Sequence, residues 1–291
     1  MSESLAPKMT LTRLNEMKQA GEPIVMVTAY DYPGALAADR AGVDMTLVGD
    51  SGAQVVLGHS STTHISVDEM LVLAGAVRRG TQSAFLVSDL PFGSTEESDE
   101  QAIHTAIRFV REAGVDAIKI EGGHPDRLSR IRAITGAGVP VVAHIGLTPQ
   151  TATMLGGFRA QGRTVESARR FVREALAVQE AGAIAVVIEA VPSELVATVL
   201  PHLTIPVIGI GAGPADGQVL VMHDLLGVTE GRGPKFIKRF GTLGQNAVDA
   251  ITAYTSEVRS GAFPAEEHQY PANEDAVAAA REALSSRSDQ G

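Results

Sequence analysis

The chain has 291 residues, a formal net charge of −10 and no cysteine. The acidic balance argues against nucleic acid or an anionic membrane as a partner, and the missing cysteines exclude disulfides, thiolate metal sites and a cysteine nucleophile. Tryptophan is absent, no apolar run is long enough to span a membrane, and the first residues lack the apolar core of a signal peptide, so we expect a cytoplasmic globular protein.

The first predicted element is a helix over residues 10–20, with Thr10 or Thr12 as its N-cap. Eight short apolar segments follow it, rich in valine and isoleucine, as expected for parallel strands that are buried on both faces. The eighth segment has the weakest pattern. The predicted strands cover residues 23–30, 45–48, 84–87, 117–120, 139–143, 183–188, 205–210 and 218–222.

Amphipathic stretches separate these segments, for example residues 98–113 and 164–181, and small-residue turns such as AGVD precede several strands. Alternating strands and helices form either an open doubly wound sheet or a closed barrel. The number of units and the lack of GxGxxG after the first strand favour an α/β (β/α)₈ TIM barrel, closed at the bottom by the first helix. We predict one barrel domain over residues 1–264. A C-terminal extension over 265–291 is predicted to be helical at 274–284 and then disordered.

Polar residues follow the predicted strands where each strand ends. In a barrel, the carboxyl ends of all strands meet on one face, so these side chains are expected to converge. A single acid in such a position is most often a helix N-cap, but several buried carboxylates together indicate a shared cation or proton. The residues are Asp31, Asp50 with Ser51, Asp89, Glu121, His144 and Glu189.

Lys119 and Glu121 lie on the same face of the fourth strand, where they form either a structural ion pair or a substrate clamp. Carboxylate ligands without cysteine favour Mg²⁺, then Mn²⁺. Zinc is the alternative, because His59, His64 and His144 are present, but the first two lack helical metal-ligand spacing. For His144 we favour a hydrogen bond to substrate.

Two further segments have alternative interpretations. Residues 208–218 form a glycine-rich loop after the seventh strand. In many barrels the loop at this position helps to hold a phosphate; alternatively, the glycines simply allow a close backbone approach. The basic residues 232–239 form either a solvated surface or, less simply, a binding site for the anionic tail of a large cosubstrate.

Eight specific motifs follow one another between residues 9 and 263. The longest is VGDSGAQVVLGHSSTTHISVDEMLVLAGAVRRG at 48–80. The others are SDLPFGS at 88–94, AIKIEGG at 117–123, HIGLTPQ at 144–150, GGFRAQGR at 156–163, VIEAVP at 187–192, GIGAG at 209–213 and PKFIK at 234–238. In their sequence and order, these motifs resemble the ketopantoate hydroxymethyltransferase family.

This resemblance implies a barrel of the phosphoenolpyruvate/pyruvate type that uses Mg²⁺. It implies the transfer of a hydroxymethyl group from 5,10-methylenetetrahydrofolate to 3-methyl-2-oxobutanoate in pantothenate biosynthesis. Relatives of this kind commonly form large homo-oligomers, often decamers. The residues 147–163 are then expected to act as a loop that closes over the site.

The resemblance also implies a role for each residue. Asp50, Asp89 and Glu121 would form the magnesium site, directly or through water, and Glu189 would be the general base. The substrate-binding residues would be Asp50, Ser51, Asp89, Lys119 and His144.

Two other classes of protein remain to be separated from this one. A carbon–carbon lyase or phosphomutase with the same barrel is expected to carry a catalytic cysteine in its lid, and this chain has no cysteine. A non-catalytic barrel that binds a metabolite or serves as a scaffold would have no need for Lys119, Glu121 and Glu189 together.

Overall fold

A computed structural model describes residues 7–231 and 233–288 of the chain. Eight parallel strands form a closed barrel in the order β1 to β8, which confirms the predicted architecture, including its weak eighth strand. The strands are β1 Ile24–Thr28, β2 Met45–Val48, β3 Phe85–Asp89, β4 Ala117–Glu121, β5 Val141–Gly146, β6 Ala185–Glu189, β7 Val207–Ile210 and β8 Gly217–Leu220.

Helices follow the strands around the barrel, and some of them are short. A π-helical turn at Phe109–Ala113 continues the fifth helix. The α-helices are α1 Leu11–Ala20, α2 Tyr32–Arg40, α3 Gly52–Val55, α4 Val67–Gly80, α5 Asp99–Arg108, α6 Pro125–Gly136, α7 Val165–Glu180, α8 Ser193–Val199, α9 Met222–Leu225, α10 Leu243–Ser260 and α11 Glu274–Ser288.

Helix α1 closes the barrel at its amino-terminal end. Its N-cap is Thr10, whose hydroxyl accepts a hydrogen bond from the Arg13 backbone N–H at 3.2 Å. Leu14 and Met17 are buried in one apolar cluster with the inward-facing strand residues, among them Ile24. A second, larger cluster fills the layer between the strands and the surrounding helices. The strands are therefore buried on both faces, as their continuous apolar runs predict.

Aspartates join neighbouring strands at the same end of the barrel. Each stands just before a strand, and its carboxylate accepts a hydrogen bond of 2.8 Å from a backbone N–H at the start of the preceding strand. Two of them belong to the repeated AGVD sequence, whose aspartate had no role in the sequence analysis. The pairs are Asp44 with Val25, Asp116 with Leu86 and Asp216 with Val207.

The described chain divides into two compact units, with the division after Gly241. The second unit contains α10, α11 and a 3₁₀ turn at Glu266–His268. The sequence places the end of the barrel domain later, at 264, because nothing in the amphipathic pattern of α10 distinguishes it from a barrel helix. That domain boundary stays a prediction. The predicted C-terminal helix exists as α11, whereas residues 1–6 and 289–291 lie outside the described residues.

Within the part of the chain that the structure describes, no helix is both long enough and apolar enough to cross a membrane.

Candidate active site

The carboxyl ends of strands β3 to β6 bring five of the predicted site residues together. In the strand register Asp89 is paired with Lys119, and Glu121 is paired with His144. Glu189, at the end of β6, faces the end of β5. All of these residues, with Asp50 and Ser51, line one pocket of about 270 Å³ at the mouth of the barrel. The predicted convergence of strand-end side chains is present in this fold.

Lys119 lies at the centre of this cluster and is almost completely buried. Its Nζ is 2.9 Å from Asp89 Oδ1, 3.8 Å from Glu121 Oε1 and 3.1 Å from His144 Nδ1. Burial by itself lowers the pKa of Lys119, but the charges of Asp89, Glu121 and Asp50 outweigh it and raise that pKa above its usual value. Lys119 is therefore a fixed cation that faces the pocket.

Asp50 and Asp89 form a close pair of like charges. The backbone N–H of Asp50 donates to Asp89 Oδ2 at 2.9 Å. Burial, followed by the charges of Asp89 and Glu121, raises the pKa of Asp50 well above its usual value. Burial also raises the pKa of Asp89, although Lys119 partly offsets the effect. The two carboxylates together need more positive charge than Lys119 supplies.

His144 connects two carboxylates of the site. Its Nδ1 is 3.2 Å from Glu121 Oε1, and its Nε2 is 3.3 Å from Glu189 Oε2. Burial and Lys119 act to lower the pKa of His144, but the two glutamates outweigh them and raise it to about 9. Burial acts to raise the pKa of Glu121, but His144 and Lys119 hold it below its usual value. Nδ1 of His144 is within hydrogen-bond distance of Glu121, whereas Nε2 makes no well-directed hydrogen bond to any described residue, Glu189 included.

The donor set suits a hard divalent cation. Asp50, Asp89 and Glu121 offer buried carboxylate oxygens, and Asp89 Oδ1 has no well-directed hydrogen bond although it lies beside Lys119. Among residues 7–231 and 233–288, no three acidic or histidine side chains are close enough to enclose an ion directly. Mg²⁺ usually keeps several waters and binds through one or two carboxylates, so these residues fit Mg²⁺ with water completing its shell.

The backbone around Glu189 is tightly constrained. Ala190, the next residue, has φ of 49°, a left-handed conformation that costs a non-glycine residue about 1–2 kcal/mol. The Ala190 N–H donates to the carbonyl of Ile210 at 2.9 Å, and its own carbonyl accepts from Gln161 at 2.8 Å. A Cβ at Gly146 would lie 2.4 Å from the Glu189 carbonyl oxygen, so only glycine fits there. Such strain is typical of functional sites.

Gln150 is a site residue that the sequence analysis did not single out. Its backbone N–H donates to Glu121 Oε2 at 2.9 Å, and its side-chain amide donates to Asp50 Oδ2 at 2.9 Å and to the Leu90 carbonyl at 3.0 Å. HIGLTPQ was noted only as a family motif. No residue pattern shows that a loop glutamine reaches back to two strand-end carboxylates.

Tyr30 was also missed, because its sequence position is that of the last apolar residue of a strand. Its ring is buried, and its hydroxyl is 2.8 Å from Ser51 Oγ. Burial raises the pKa of Tyr30 above its usual value, so the phenol stays neutral and fixes Ser51 at the pocket.

Other predicted candidates have structural roles. Asp31 is the N-cap of α2 and accepts from the Gly34 N–H at 2.7 Å, so the capping explanation applies to it. His59 and His64 contact each other edge to face, with ring centroids 5.8 Å apart, and neither lines the pocket. In the basic segment, Arg239 donates to the carbonyls of Thr229 and Gly231. Arg232 lies outside the described residues.

Solved structures define the class of fold. The chain resembles phosphoenolpyruvate phosphomutase from Streptomyces platensis subsp. rosaceus with a TM-score of 0.59 and 19% identity, over 96% of each chain. It resembles 2,3-dimethylmalate lyase, described as a member of the PEP mutase/isocitrate lyase superfamily, with a TM-score of 0.58 and 18% identity, over 97% and 98% of the two chains. The fold is therefore a (β/α)₈ barrel, as in these enzymes.

Sequence comparisons define the family. The family model described as ketopantoate hydroxymethyltransferase matches residues 8–266. A 3-methyl-2-oxobutanoate hydroxymethyltransferase of Alkaliphilus metalliredigens is 48% identical over 91% of this chain and 94% of its own length. The enzyme of the same name from Moorella thermoacetica is 49% identical over 90% of this chain and 98% of its own length. The chain therefore belongs to the ketopantoate hydroxymethyltransferase family, whose members are transferases.

Proposed function

We propose that this protein transfers a hydroxymethyl group from 5,10-methylenetetrahydrofolate to 3-methyl-2-oxobutanoate, giving 2-dehydropantoate (ketopantoate) for pantothenate biosynthesis. The observation that carries the proposal is a single pocket in which Lys119 and three carboxylates face Glu189. The family to which the chain belongs supports it. The cytoplasmic location and the assembly into a homo-oligomer, such as a decamer, stay predictions.

The pocket suits a small, branched 2-oxo acid. At about 270 Å³ it is small and mostly apolar, with Val187, Ile210 and Leu220 as walls for an isopropyl group. The cation Lys119 offsets the substrate carboxylate, and the Ser51 hydroxyl supplies a hydrogen bond. Mg²⁺, held by the acidic residues directly or through water, would stabilise the negative charge that develops on the keto acid.

Glu189 is the group that removes the proton from C3 of the keto acid. Its side chain is mostly buried at the end of β6, and one of its oxygens lies 3.3 Å from His144 Nε2. The constrained Ala190 backbone, hydrogen-bonded to Ile210 and Gln161, anchors the end of β6 on which Glu189 stands. Because a base held in position does not have to reorient, the free-energy barrier to proton transfer is lower.

The transfer balances without a redox step. C3 loses its proton to Glu189 and forms a carbon–carbon bond to the folate methylene. The bonds from that methylene to N5 and N10 of the folate break, and water supplies the hydroxyl oxygen. The C3 proton and one water proton end on the two folate nitrogens, which gives tetrahydrofolate. The loop at 147–163, with left-handed Gly156 and Gly157, lies after β5 and is the segment we expect to limit water access.

The test is turnover of 5,10-methylenetetrahydrofolate with 3-methyl-2-oxobutanoate, with and without Mg²⁺. We expect turnover with Mg²⁺ and its loss after chelation. Asp89→Ala should abolish both metal dependence and keto-acid binding, because it removes one carboxylate of the close pair and leaves Lys119 without its nearest partner. Glu180→Ala, at an exposed glutamate, is the control. Metal-independent turnover, or an Asp89→Ala variant that matches the control, would contradict the assignment.

A further inference from the structure

A second, larger cavity opens beside the keto-acid pocket. Its volume is about 840 Å³, against about 270 Å³ for the pocket itself. The two share Phe158, Glu189, Pro234 and Phe236 as lining residues. We call the larger cavity the side cleft. A molecule in the side cleft therefore has one end at Glu189, beside the carbon that the proposed reaction modifies.

Two phenyl rings stand where the pocket and the side cleft meet. Phe158, on the loop after β5, leaves 67% of its surface exposed. Phe236 packs directly on the backbone at Gly211, where φ is 61° and a Cβ would lie 2.5 Å from the ring. Leu147 and Val191 extend the apolar wall. Phenyl rings that line a cleft next to a polar site are suited to the face of a flat aromatic ligand.

The polar part of the side cleft is cationic, although the chain as a whole is acidic. Arg159, Arg163 and Lys235 line it, and the one acid among its lining residues is Glu189, at the boundary with the pocket. None of the three cations forms an ion pair with any residue of 7–231 or 233–288. Unpaired cations beside an apolar wall favour a ligand that has both rings and carboxylates.

We propose that the side cleft binds the folate cosubstrate, with its ring system at Phe158 and Phe236 and its glutamate carboxylates at Arg159, Arg163 and Lys235. The inference rests on the proposed function, which requires a folate. Cavities of roughly 300–1,000 Å³ hold ligands of this size, whereas the keto-acid pocket is smaller. Lys235 belongs to the basic segment 232–239, for which the sequence allows two interpretations, a solvated surface or a binding site for an anionic tail.

Charge reversal at exposed positions tests the side cleft without disturbing the core. Arg159→Glu and Lys235→Glu should each raise KM for 5,10-methylenetetrahydrofolate and the Kd for tetrahydrofolate by about tenfold or more, because each replaces an attractive contact with a repulsive one. KM for 3-methyl-2-oxobutanoate should change little, since neither residue lines its pocket. Arg132→Glu, at an exposed arginine on α6 outside the cleft, is the control.

The outcomes separate the two proposals. If wild type turns over both substrates but the two cleft variants keep the folate KM and tetrahydrofolate Kd of Arg132→Glu, the side cleft is not the folate site and the proposed function stands. If wild type gives neither turnover nor C3 proton exchange of the keto acid, the proposed function fails first. Equilibrium dialysis with tetrahydrofolate and steady-state kinetics provide both readouts.

Discussion

Gln150 contacts two carboxylates through different groups, its backbone N–H to Glu121 and its side-chain amide to Asp50. It belongs to the loop after β5, whereas the acids stand at the ends of other strands. Gln150 therefore links the loop to the acidic residues, so that a shift of the loop would also shift the carboxylates. A residue of this kind positions the reacting groups without reacting itself.

We expect Gln150→Ala to lower kcat/KM for the keto acid by about tenfold or more. The change removes both side-chain hydrogen bonds and leaves a buried carboxylate oxygen without its donor, a loss of about 1–3 kcal/mol. Steady-state kinetics at several Mg²⁺ concentrations measure the effect. Gln82→Ala, at an exposed glutamine before β3, serves as the control. Kinetics for Gln150→Ala that match the control would show that the glutamine has no positioning role.

The sequence indicated Asp50, Asp89, Glu121 and Glu189 because strand ends converge in any barrel of this kind. It also placed Lys119 beside Glu121, by the two-residue period of a strand. It did not indicate Gln150 or Tyr30, because their contacts depend on the path of a loop and on a side-chain contact between the ends of two neighbouring strands. Periodicity describes neither feature.

At the scale of elements, Asp39 joins helix α2 to the start of β3. Its carboxylate accepts hydrogen bonds of 2.9 Å from the backbone N–H groups of Ser83 and Ala84 and one of 3.0 Å from the Ser83 hydroxyl. Partial burial acts to raise the pKa of Asp39, but these donors outweigh it and lower that pKa below its usual value. Asp39 therefore stabilises the fold in its ionised form.

The pKa of Asp39 is lower in the folded than in the unfolded chain, so its contribution to stability is complete above the unfolded value of about 3.9. It is lost as pH falls through the lower, folded value. Asp39→Ala should reduce the free energy of unfolding by roughly 1–3 kcal/mol at neutral pH, and the deficit should shrink in acid. Urea unfolding at one protomer concentration between neutral and acidic pH measures it. An unchanged deficit across that range would contradict the assignment.

Element boundaries show where sequence patterns are informative. The eight strands follow from buried apolar runs, and Thr10 was correctly expected as a possible cap. The helix predicted over 98–113 is α5 with a π-helical turn at its end, a change of winding that leaves the apolar pattern unaltered. The short α3 was not predicted, because four residues are too few to show a helical period.

At the scale of the molecule, α10 carries an apolar stripe. Leu243, Ile251, Tyr254 and Val258 lie on one face of this helix and are 47%, 64%, 57% and 45% exposed. Apolar residues at helical spacing that remain exposed in a single chain often mark a protein–protein contact. The stripe supports the expected homo-oligomer, with a second copy of the chain as the partner.

Ile251→Glu together with Val258→Glu should therefore lower the assembly mass in sedimentation equilibrium, because two charges would have to be buried at the contact. Ser256→Glu adds a charge to the opposite face of the same helix and should leave the mass unchanged. Equal masses for wild type and both variants would show that the stripe is not part of an interface.

Alternating strands and helices allow an open sheet or a closed barrel, and the number of units with no GxGxxG after the first strand favours the barrel that the structure shows. The side cleft is different. Its walls come from four segments that are far apart in the sequence, around Phe158, Val191, Gly211 and Phe236. Their proximity depends on how these loops fold over the barrel mouth, and no periodic pattern specifies that arrangement.

The central claim is that Glu189 removes the C3 proton of the keto acid. The most direct measurement is deuterium exchange at C3 of 3-methyl-2-oxobutanoate in D₂O with Mg²⁺ and no folate. Wild type should exchange this proton. Glu189→Gln should exchange it more slowly by about 10²-fold or more, because the amide cannot accept the proton. Equal exchange rates for the two proteins would contradict the assignment of Glu189 as the base.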